Sequence, residues 1–459
     1  MVGVGTTAVY RMAALLIWGL AVWHSWLARG LFADGSATLL YMMHIDNYVM
    51  LYDSRQTVIA VTQTPTAIAL WLGVTDTHLL ARLLSAGLFY LPTIFYHACL
   101  DRARHDPALL GAVVLAIAVV FLPTSFFIIG EYNAILPAIL YVVLVLATAR
   151  RPKIVDGVLL IVTAAMLLRS YETVLAFGLL LAGLTVWRLK LSGTRDWPTL
   201  LYVLAAVMFV TAAGFSLQSL VGPHSEGQVD DALAGAGLFW TNLQFVLPLA
   251  AVLIVTLAGL IAPALLERRR LYLAASVFLI LLALSPLLWL GDGEMRPLPK
   301  AHYHTRMMAS VVMAAIAIAV WLYALQPSWA PRALAVLSGA ANGRRLMQFA
   351  LVALLAGLPA DLHLTALWQR SVSLFQASLA ARPGLIPVEE TPFYRGYWQN
   401  FVENWALSSQ SLVMRRSPRD GTIVPPKGFA YWKFLDATKL WITNVDRFGW
   451  DDGRTEDGR

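Results

Sequence analysis

The chain has 459 residues, of which 59% are hydrophobic and only 13% are charged. Soluble globular domains carry about 25% charged residues, so this composition excludes an ordinary soluble protein and indicates that lipid surrounds most of the chain. The net charge of +7 comes from Lys and Arg residues scattered through short loops. Without a basic tract, this charge does not indicate a nucleic-acid-binding protein. The only cysteine, Cys99, cannot form an intramolecular disulfide bond.

Apolar segments recur along most of the sequence, and a membrane-spanning helix needs about 20 apolar residues. Because these segments do not alternate between apolar and polar residues, they predict helices rather than membrane-spanning strands. We therefore predict an all-α polytopic membrane protein with about eleven transmembrane helices. The predicted spans are 12–30, 77–99, 108–129, 133–149, 154–169, 173–188, 198–219, 239–265, 271–291, 307–325 and 346–364.

The loops between these spans differ in charge from one side to the other. Lys and Arg predominate on one side, for example at 102–104, 150–153, 188–195 and 268–270. The positive-inside rule makes that side cytoplasmic, so we predict a cytoplasmic N-terminus and an external C-terminal region. Acidic residues gather in the external loops although they hardly influence orientation, and this predicts a functional site on the external face. A merely solvated external surface is the alternative.

The segment after the first span, "LFADGSATLLYMMHIDNYVMLYDSRQ" at 31–56, is too polar for a span and too apolar for an ordinary loop. It carries Asp34 next to the membrane exit, followed by His44, Asp46 and Arg55. A carboxylate at this depth is partly desolvated, which raises its pKa toward the range of a general base. The alternative for Asp34 is a turn or helix-capping residue before a glycine.

Two further external turns carry charged residues although each turn is very short and joins two predicted spans almost directly. Glu131 lies in "FFIIGEYNAIL" between two apolar spans, where a charge is expensive unless it faces a polar cavity. A plain hairpin turn is the alternative for this residue. Arg169 and Glu172 lie in "MLLRSYETVL" and either bind substrate or pair with each other.

A cluster of cations precedes the tenth predicted span, on the side where cations are otherwise scarce. The segment "GDGEMRPLPKAHYHTRMM" contains Arg296, Lys300, His302, His304 and Arg306. In an extended segment the two histidines would share one face and could bind a metal together with an acid. The permanent cations favour a phosphate site instead. The third possibility is that these residues are ordinary surface cations without a specific ligand.

Residues 366–459 differ from the rest because they contain no apolar span. We therefore divide the chain into a transmembrane domain at 1–365 and an external domain at 366–459. The external domain opens with an amphipathic helix in "TALWQRSVSLFQASLAARPG", which the Pro-Gly pair ends. Its many Tyr and Trp residues are typical of an interfacial belt, with sugar stacking as the alternative. The final "DDGRTEDGR" predicts a disordered end.

Together these features resemble the GT-C superfamily of membrane glycosyltransferases. Its members have a long first external loop that opens with a catalytic acid and carries helices lying along the membrane, and residues 31–76 match this pattern. Asp34 stands at the position of that acid, and Glu131 matches a second acid in the next external loop. Gly35 occupies the position where the superfamily often has a paired acid. The external C-terminal domain also occurs in the superfamily.

The resemblance implies transfer of a sugar from a polyprenyl-phosphate donor to a glycan or glycolipid acceptor, with inversion. The reaction would take place on the external face of a bacterial inner (plasma) membrane. Asp34 and Glu131 would be catalytic, and the cations at 296–306 would bind the donor phosphate. The other charged residues of the external loops would bind substrate, namely His44, Asp46, Arg55, Arg169 and Glu172. A divalent metal ion could assist the reaction, but the sequence contains no strong set of metal ligands.

Three other functions are alternatives to this one. The sequence has no phosphate-binding P-loop, dinucleotide-binding turn, zinc-protease motif or nucleophile elbow. A lipid or polysaccharide transporter or flippase should carry polar residues in the middle of its spans, whereas the charges here lie mainly at external span ends. An O-antigen-ligase-like enzyme would use external Arg and His residues without a first-loop Asp. An inactive membrane scaffold would require none of these residues.

Overall fold

The structure of the protein is a computed structural model of the whole chain. It describes residues 5–50, 55–126, 131–149, 151–193, 196–221, 235–284, 298–417, 419–426, 435–436, 439–440 and 446–448. The protein is mostly helical, and the few strands in the described residues are two or three residues long. The helices are α1 (Thr6–Trp26), α2 (Asp34–Ile45), α3 (Gln56–Trp71), α4 (Thr77–Ala103), α5 (Pro107–Ala116), α6 (Tyr132–Thr148), α7 (Ile154–Leu167), α8 (Val174–Ser192), α9 (Trp197–Val221), α10 (Leu243–Ile261), α11 (Arg269–Leu284), α12 (Pro299–Leu325), α13 (Arg332–Leu337), α14 (Ala340–Ala380) and α15 (Leu407–Met414).

In the described part of the chain, eight helical segments are long and apolar enough to cross a membrane. They are α1, α4, the segment Pro107–Thr124 that extends α5, α8, α9, α10, α12 and α14. The predicted all-α multi-pass membrane protein is confirmed at this level. Each of the eleven predicted spans also overlaps a helix in the described residues, but α6, α7 and α11 are shorter than the eight candidate spans. The number of spans and their orientation therefore stay predictions.

The first loop folds into helices, as the sequence predicts. A 3₁₀ turn at Arg29–Leu31 leads into α2, and α3 follows. The loop is folded tightly, because a Cβ atom on Gly35 would lie only 1.6 Å from the carbonyl oxygen of Gly30. A Cβ atom on Gly30 would in turn lie 2.9 Å from the Cα of Ser85 in α4. No side chain fits at position 35, which gives a steric reason why a second acid does not follow Asp34.

The helix α14 is 41 residues long and contains both the last predicted span and the predicted amphipathic helix. In its C-terminal half, Trp368, Phe375 and Leu379 are buried; these are three of the residues that the helical spacing assigns to the apolar face. The predicted domain boundary at 365 lies inside this helix, so no break in the backbone marks it. The helix ends at Ala380, three residues before the Pro-Gly pair.

The described part of the C-terminal region packs on the first loop. Strands β1 (Leu385–Pro387) and β2 (Thr422–Val424) pair in parallel, with 3₁₀ turns and α15 between them. A short antiparallel pair joins β3 (Leu435–Asp436) to β4 (Lys439–Leu440). The buried residues of this region form one hydrophobic cluster with residues of α2, α3 and α4. A second, larger cluster fills the interior of the helix bundle. The C-terminal region therefore shares a core with the loop that carries Asp34.

Candidate functional site at the first loop

Asp34 is the first residue of α2, directly after Ala33, which has a positive φ of 54°. In the described residues its carboxylate has no hydrogen-bond or ion-pair partner, and the side chain is only partly accessible. Burial raises the pKa of Asp34 from 3.8 to about 6, and the charges of Arg55 and Arg306 act in the opposite direction. The negative charge of Glu403 raises this pKa further. Asp34 is thus a carboxylate that can take up a proton near neutral pH.

Arg55 connects two of the predicted site residues. Its guanidinium nitrogens lie 2.8 Å from the Glu131 carboxylate and 3.0 Å from the Glu172 carboxylate. The same guanidinium lies over the ring of Tyr171, with 5.1 Å to the ring centre. Three separate turns of the chain therefore meet at one cation. We call Asp34, Arg55, Glu131 and Glu172 the Asp34 cluster.

Glu131 is almost completely buried, with 1% of its surface exposed. Burial raises its pKa from 4.5 to about 7, although the neighbouring Arg55 lowers it. The charges of Glu172 and Asp34 raise this pKa as well, so Glu131 lies close enough to Asp34 for the two carboxylates to influence each other. The structure thus brings together the two acids that the sequence selected as catalytic.

Arg169 and Glu172 do not pair with each other, which was the structural alternative for their turn. Arg169 donates from its guanidinium to the Gln56 side chain at 3.1 Å and lies over the ring of Phe215 at 4.6 Å. Glu172 pairs with Arg55 instead. The reason is that α3 begins beside this turn, where the backbone N–H of Thr57 donates to the Arg169 carbonyl at 3.0 Å.

The cation cluster before the tenth predicted span is helical, not extended. Helix α12 begins at Pro299, whose missing N–H costs nothing at a first helical position. In a helix, residues two apart point in different directions, so His302 and His304 do not share a face. The extended-face argument for a two-histidine metal site is therefore wrong. Arg296 lies outside the described residues.

The individual cations of α12 have different surroundings. Nδ1 of His302 accepts from the Phe126 N–H at 3.1 Å, and its Nε2 lies 3.2 Å from the Gln244 side-chain oxygen. Both ring nitrogens are engaged, so His302 is poorly suited to bind phosphate. His304 is partly buried. Arg306 lies over the ring of Tyr303 at 3.8 Å, and its charge acts on Asp34. Arg306 is thus the α12 cation whose charge reaches the Asp34 cluster.

His44 and Asp46 lie at the other end of α2, about 15 Å from Asp34 by the helical rise of 1.5 Å per residue. Asp46 forms an ion pair with Arg447. The Asp46 carbonyl accepts from the Trp71 indole at 3.0 Å. These contacts attach the end of α2 to the C-terminal region and to α3. The structure therefore separates His44 and Asp46 from the other predicted substrate-binding residues.

Glu403 also lies near Asp34, although no pattern in the sequence indicated it. It lies in the C-terminal region with 16% of its side chain exposed, and its carboxylate is 3.3 Å from the Lys300 ammonium. Its charge acts on Asp34. Burial raises the pKa of Glu403, and Lys300 opposes this effect. No local pattern could have revealed it, because Glu403 and Asp34 meet only through the fold.

A second group of charged side chains lies inside the bundle, and no pattern in the sequence indicated it either. Nε2 of His24 and a guanidinium nitrogen of Arg29 lie 2.9 and 3.2 Å from the Asp361 carboxylate. Arg29 also donates to the Thr365 hydroxyl at 2.6 Å, and the Ser125 hydroxyl donates to Asp361 at 3.0 Å. All five side chains are buried. We call them the Asp361 network; it joins α1, α14 and the turn after α5.

In the residues that the structure describes, no group of three or more His, Cys, Asp or Glu side chains is arranged to hold a metal ion. The described site offers carboxylates and guanidinium groups, which suit proton transfer and anion binding.

Comparison with known proteins adds no relative to this description. No family model matches the sequence, and neither a curated protein nor a solved structure is similar to it.

Proposed function

We propose that the protein is a membrane glycosyltransferase of the GT-C type, which transfers a sugar from a polyprenyl-phosphate donor to a glycan or glycolipid acceptor. The observation that carries the proposal is the Asp34 carboxylate, which has a raised pKa and no partner in the described residues. It lies within reach of the charges of Arg55 and Arg306. A free base next to cations is the arrangement that an inverting displacement with a phosphate leaving group requires.

In the proposed reaction, Asp34 removes the proton from an acceptor hydroxyl. At the same time the oxygen of that hydroxyl forms a bond to the anomeric carbon of the donor sugar. The bond from that carbon to the phosphate oxygen breaks, and the polyprenyl phosphate leaves with the electron pair. Arg306 stabilises the departing phosphate, because a guanidinium can donate two parallel hydrogen bonds. Arg55 is already paired with Glu131 and Glu172 and holds the site in place. The reaction would occur at the external face of a bacterial inner membrane.

The test is Asp34→Asn, measured as sugar transfer from a polyprenyl-phosphate donor by the purified chain in lipid. Amide for carboxylate keeps the shape and removes the base, so the rate should fall by about 10²–10⁴-fold. Asp46→Asn is the matched control, because it changes an acid at the other end of the same helix. Transfer at the wild-type rate in Asp34→Asn would overturn the proposed role of Asp34.

A lipid or polysaccharide transporter is the second candidate, and the Asp361 network favours it. Ionisable side chains inside a membrane bundle often mark substrate or proton pathways. The two functions separate in one comparison of Asp34→Asn with Asp361→Asn. A transferase loses transfer in Asp34→Asn while folding is retained. A transporter moves its lipid substrate across vesicles at a normal rate in Asp34→Asn and loses this movement in Asp361→Asn, under conditions where circular dichroism shows that the variant is still folded.

A further inference from the structure

A cavity of about 260 Å³ lies between α11 and α14, and no residue of the Asp34 cluster lines it. Along α14, Arg345 and Asp361 are about 24 Å apart by the helical rise. Asp361 contacts Arg29, which lies just before the first loop. The cavity therefore lies toward the end of the bundle opposite to that loop, and we predict this end to be cytoplasmic. Its lining is Arg269, Tyr272, Leu273, Ser276, Ala341, Arg344, Arg345, Gln348 and Phe349. We call it the arginine pocket.

Polar groups in this pocket have unused hydrogen-bonding capacity. Tyr272 is only 4% exposed, yet its hydroxyl has no hydrogen-bond partner among the described residues. A buried polar group without a partner is expensive, so such a group often marks a missing ligand. Within the same residues the Arg269 guanidinium makes no hydrogen bond or ion pair. Arg344 uses only its Nε, which donates to the Ala340 carbonyl at 3.1 Å.

Hydrogen bonds hold the positively charged Arg345 side chain in place at the pocket. One of its terminal nitrogens lies 2.6 Å from the Glu267 carbonyl and 2.6 Å from the Asn342 side-chain oxygen. Both acceptors are neutral, so the positive charge of Arg345 is not neutralised by either of them. Three guanidinium groups around one cavity, with no acid in its lining, select an anion that can accept several hydrogen bonds at once.

The position of the pocket indicates where that anion comes from. Leu273 and Phe349 form an apolar part of the lining, and the Phe349 ring lies 6.1 Å from the Tyr272 ring. Several α11 side chains on the outside of the bundle are apolar and exposed, among them Phe278 and Leu281. A soluble anion would gain nothing from these surfaces, whereas a lipid would place its headgroup at the arginines and its chains along α11.

We propose that the arginine pocket binds the phosphate headgroup of an anionic phospholipid. Arg269, Arg344 and Arg345 donate to the phosphate oxygens, and the Tyr272 hydroxyl donates to a phosphate or glycerol oxygen. This site is separate from the proposed transfer reaction and does not depend on it. Phosphate is also available as a soluble ion, so the experiment includes both sources.

The experiment measures binding of phosphatidylglycerol to the full chain in neutral detergent, by native mass spectrometry and by the rise in melting temperature. The test variant is Arg269→Gln with Arg344→Gln. Charge-assisted hydrogen bonds contribute roughly 1.5–3 kcal/mol each, so affinity should fall at least tenfold. The control variant is Arg268→Gln with Arg270→Gln, which removes the same charge from exposed neighbours outside the pocket. It should change affinity less than twofold.

Three further arms decide the outcome. Tyr272→Phe should weaken phosphatidylglycerol binding by several-fold without lowering the melting temperature of the lipid-free protein. Phosphatidylcholine, which carries a cationic choline next to the phosphate, should bind much more weakly. Inorganic phosphate at 10-fold excess over the lipid should not displace it, and displacement would overturn the lipid assignment in favour of a soluble anion. Equal losses in both arginine pairs would overturn the site itself, because diffuse attraction to the loops would then explain the binding.

Discussion

The Asp34 cluster and the Asp361 network are both built from carboxylates and arginines, but they differ in whether every carboxylate has a partner. In the Asp361 network the single carboxylate is held by a histidine, an arginine and a serine, all buried. The Asp34 cluster holds Glu131 and Glu172 on one arginine and leaves Asp34 outside this pairing. The first arrangement joins helices to one another, whereas the second leaves one carboxylate without a partner in the described residues. Partner count, rather than charge alone, distinguishes the two regions.

The largest effect should come from breaking the Asp361 network. Asp361→Ala leaves Arg29 buried without a charge partner, which typically destabilises a fold by about 3–5 kcal/mol. The measurement is chemical denaturation of the purified protein in detergent. The double variant Arg29→Met with Asp361→Leu removes both charges and should recover most of this stability. A double variant as unstable as Asp361→Ala would show that the charges themselves, not their balance, hold the helices.

Arg55→Gln should have the next largest effect, because it leaves the buried Glu131 carboxylate unpaired. Loss of one partner of a buried polar group costs about 1–3 kcal/mol. Denaturation measures this cost, and Arg82→Gln is the control. Arg82 makes an exposed contact over the Trp26 ring at 4.0 Å, and such contacts contribute only about 0.5–1 kcal/mol. Equal effects of the two substitutions would place Arg55 among ordinary surface cations.

The pH dependence sharpens the comparison further. Burial raises the pKa of Asp34 from 3.8 to about 6, so the folded protein disfavours the ionised form. The contribution of Asp34 to stability is therefore full at low pH and is lost as the pH rises through about 6. The rate of proposed transfer runs the other way and should fall about tenfold per pH unit below that pKa, since it needs the ionised base.

Asp34→Asn is the control for this pH dependence. The measurement is denaturation of wild type and variant between pH 4 and 8. As the pH rises, the free energy of unfolding should fall less in the variant than in the wild type, because the variant has no Asp34 carboxyl to ionise. Identical pH profiles in the two proteins would mean that Asp34 has an ordinary pKa and is solvated.

The smallest effect concerns the contact between α12 and the C-terminal region. Lys300 is 46% exposed, and exposed ion pairs contribute about 0.2–1 kcal/mol, so Lys300→Gln should hardly change the free energy of unfolding. Glu403→Gln should lower the pKa of Asp34, because it removes a nearby negative charge. The transfer–pH profile measures this shift toward lower pH. An unchanged midpoint would remove Glu403 from the site.

The sequence predicted those features that depend on local composition. Long apolar runs located the membrane helices, and charges placed between such runs located Asp34, Glu131 and Glu172. Both signals arise because lipid accepts apolar side chains and penalises charged ones. The start of α12 could also have been predicted, since Pro299 is a typical first helical residue.

The features that the sequence did not predict depend on pairing across the fold. Asp361 lies inside the predicted span 346–364, and nothing near it in sequence showed that His24 and Arg29 lie beside it. Glu403 was missed for the same reason. Whether a charge is paired or free depends on residues hundreds of positions away, and only the fold brings them together. The division into two domains at 365 relied on the end of an apolar run, whereas the helix continues regardless of it.

The continuity of α14 has a mechanical consequence. Its 41 residues extend over about 60 Å, twice the roughly 30 Å of a hydrocarbon core. The arginine pocket borders one end, and the C-terminal region packs on the other. A tilt of about 5° around the midpoint would move each end by roughly 2–3 Å in opposite directions. Bending should concentrate at Pro359, which interrupts the backbone hydrogen bonds near the middle. A change of angle at Pro359, close to Asp361, would therefore move the arginine pocket relative to the C-terminal region.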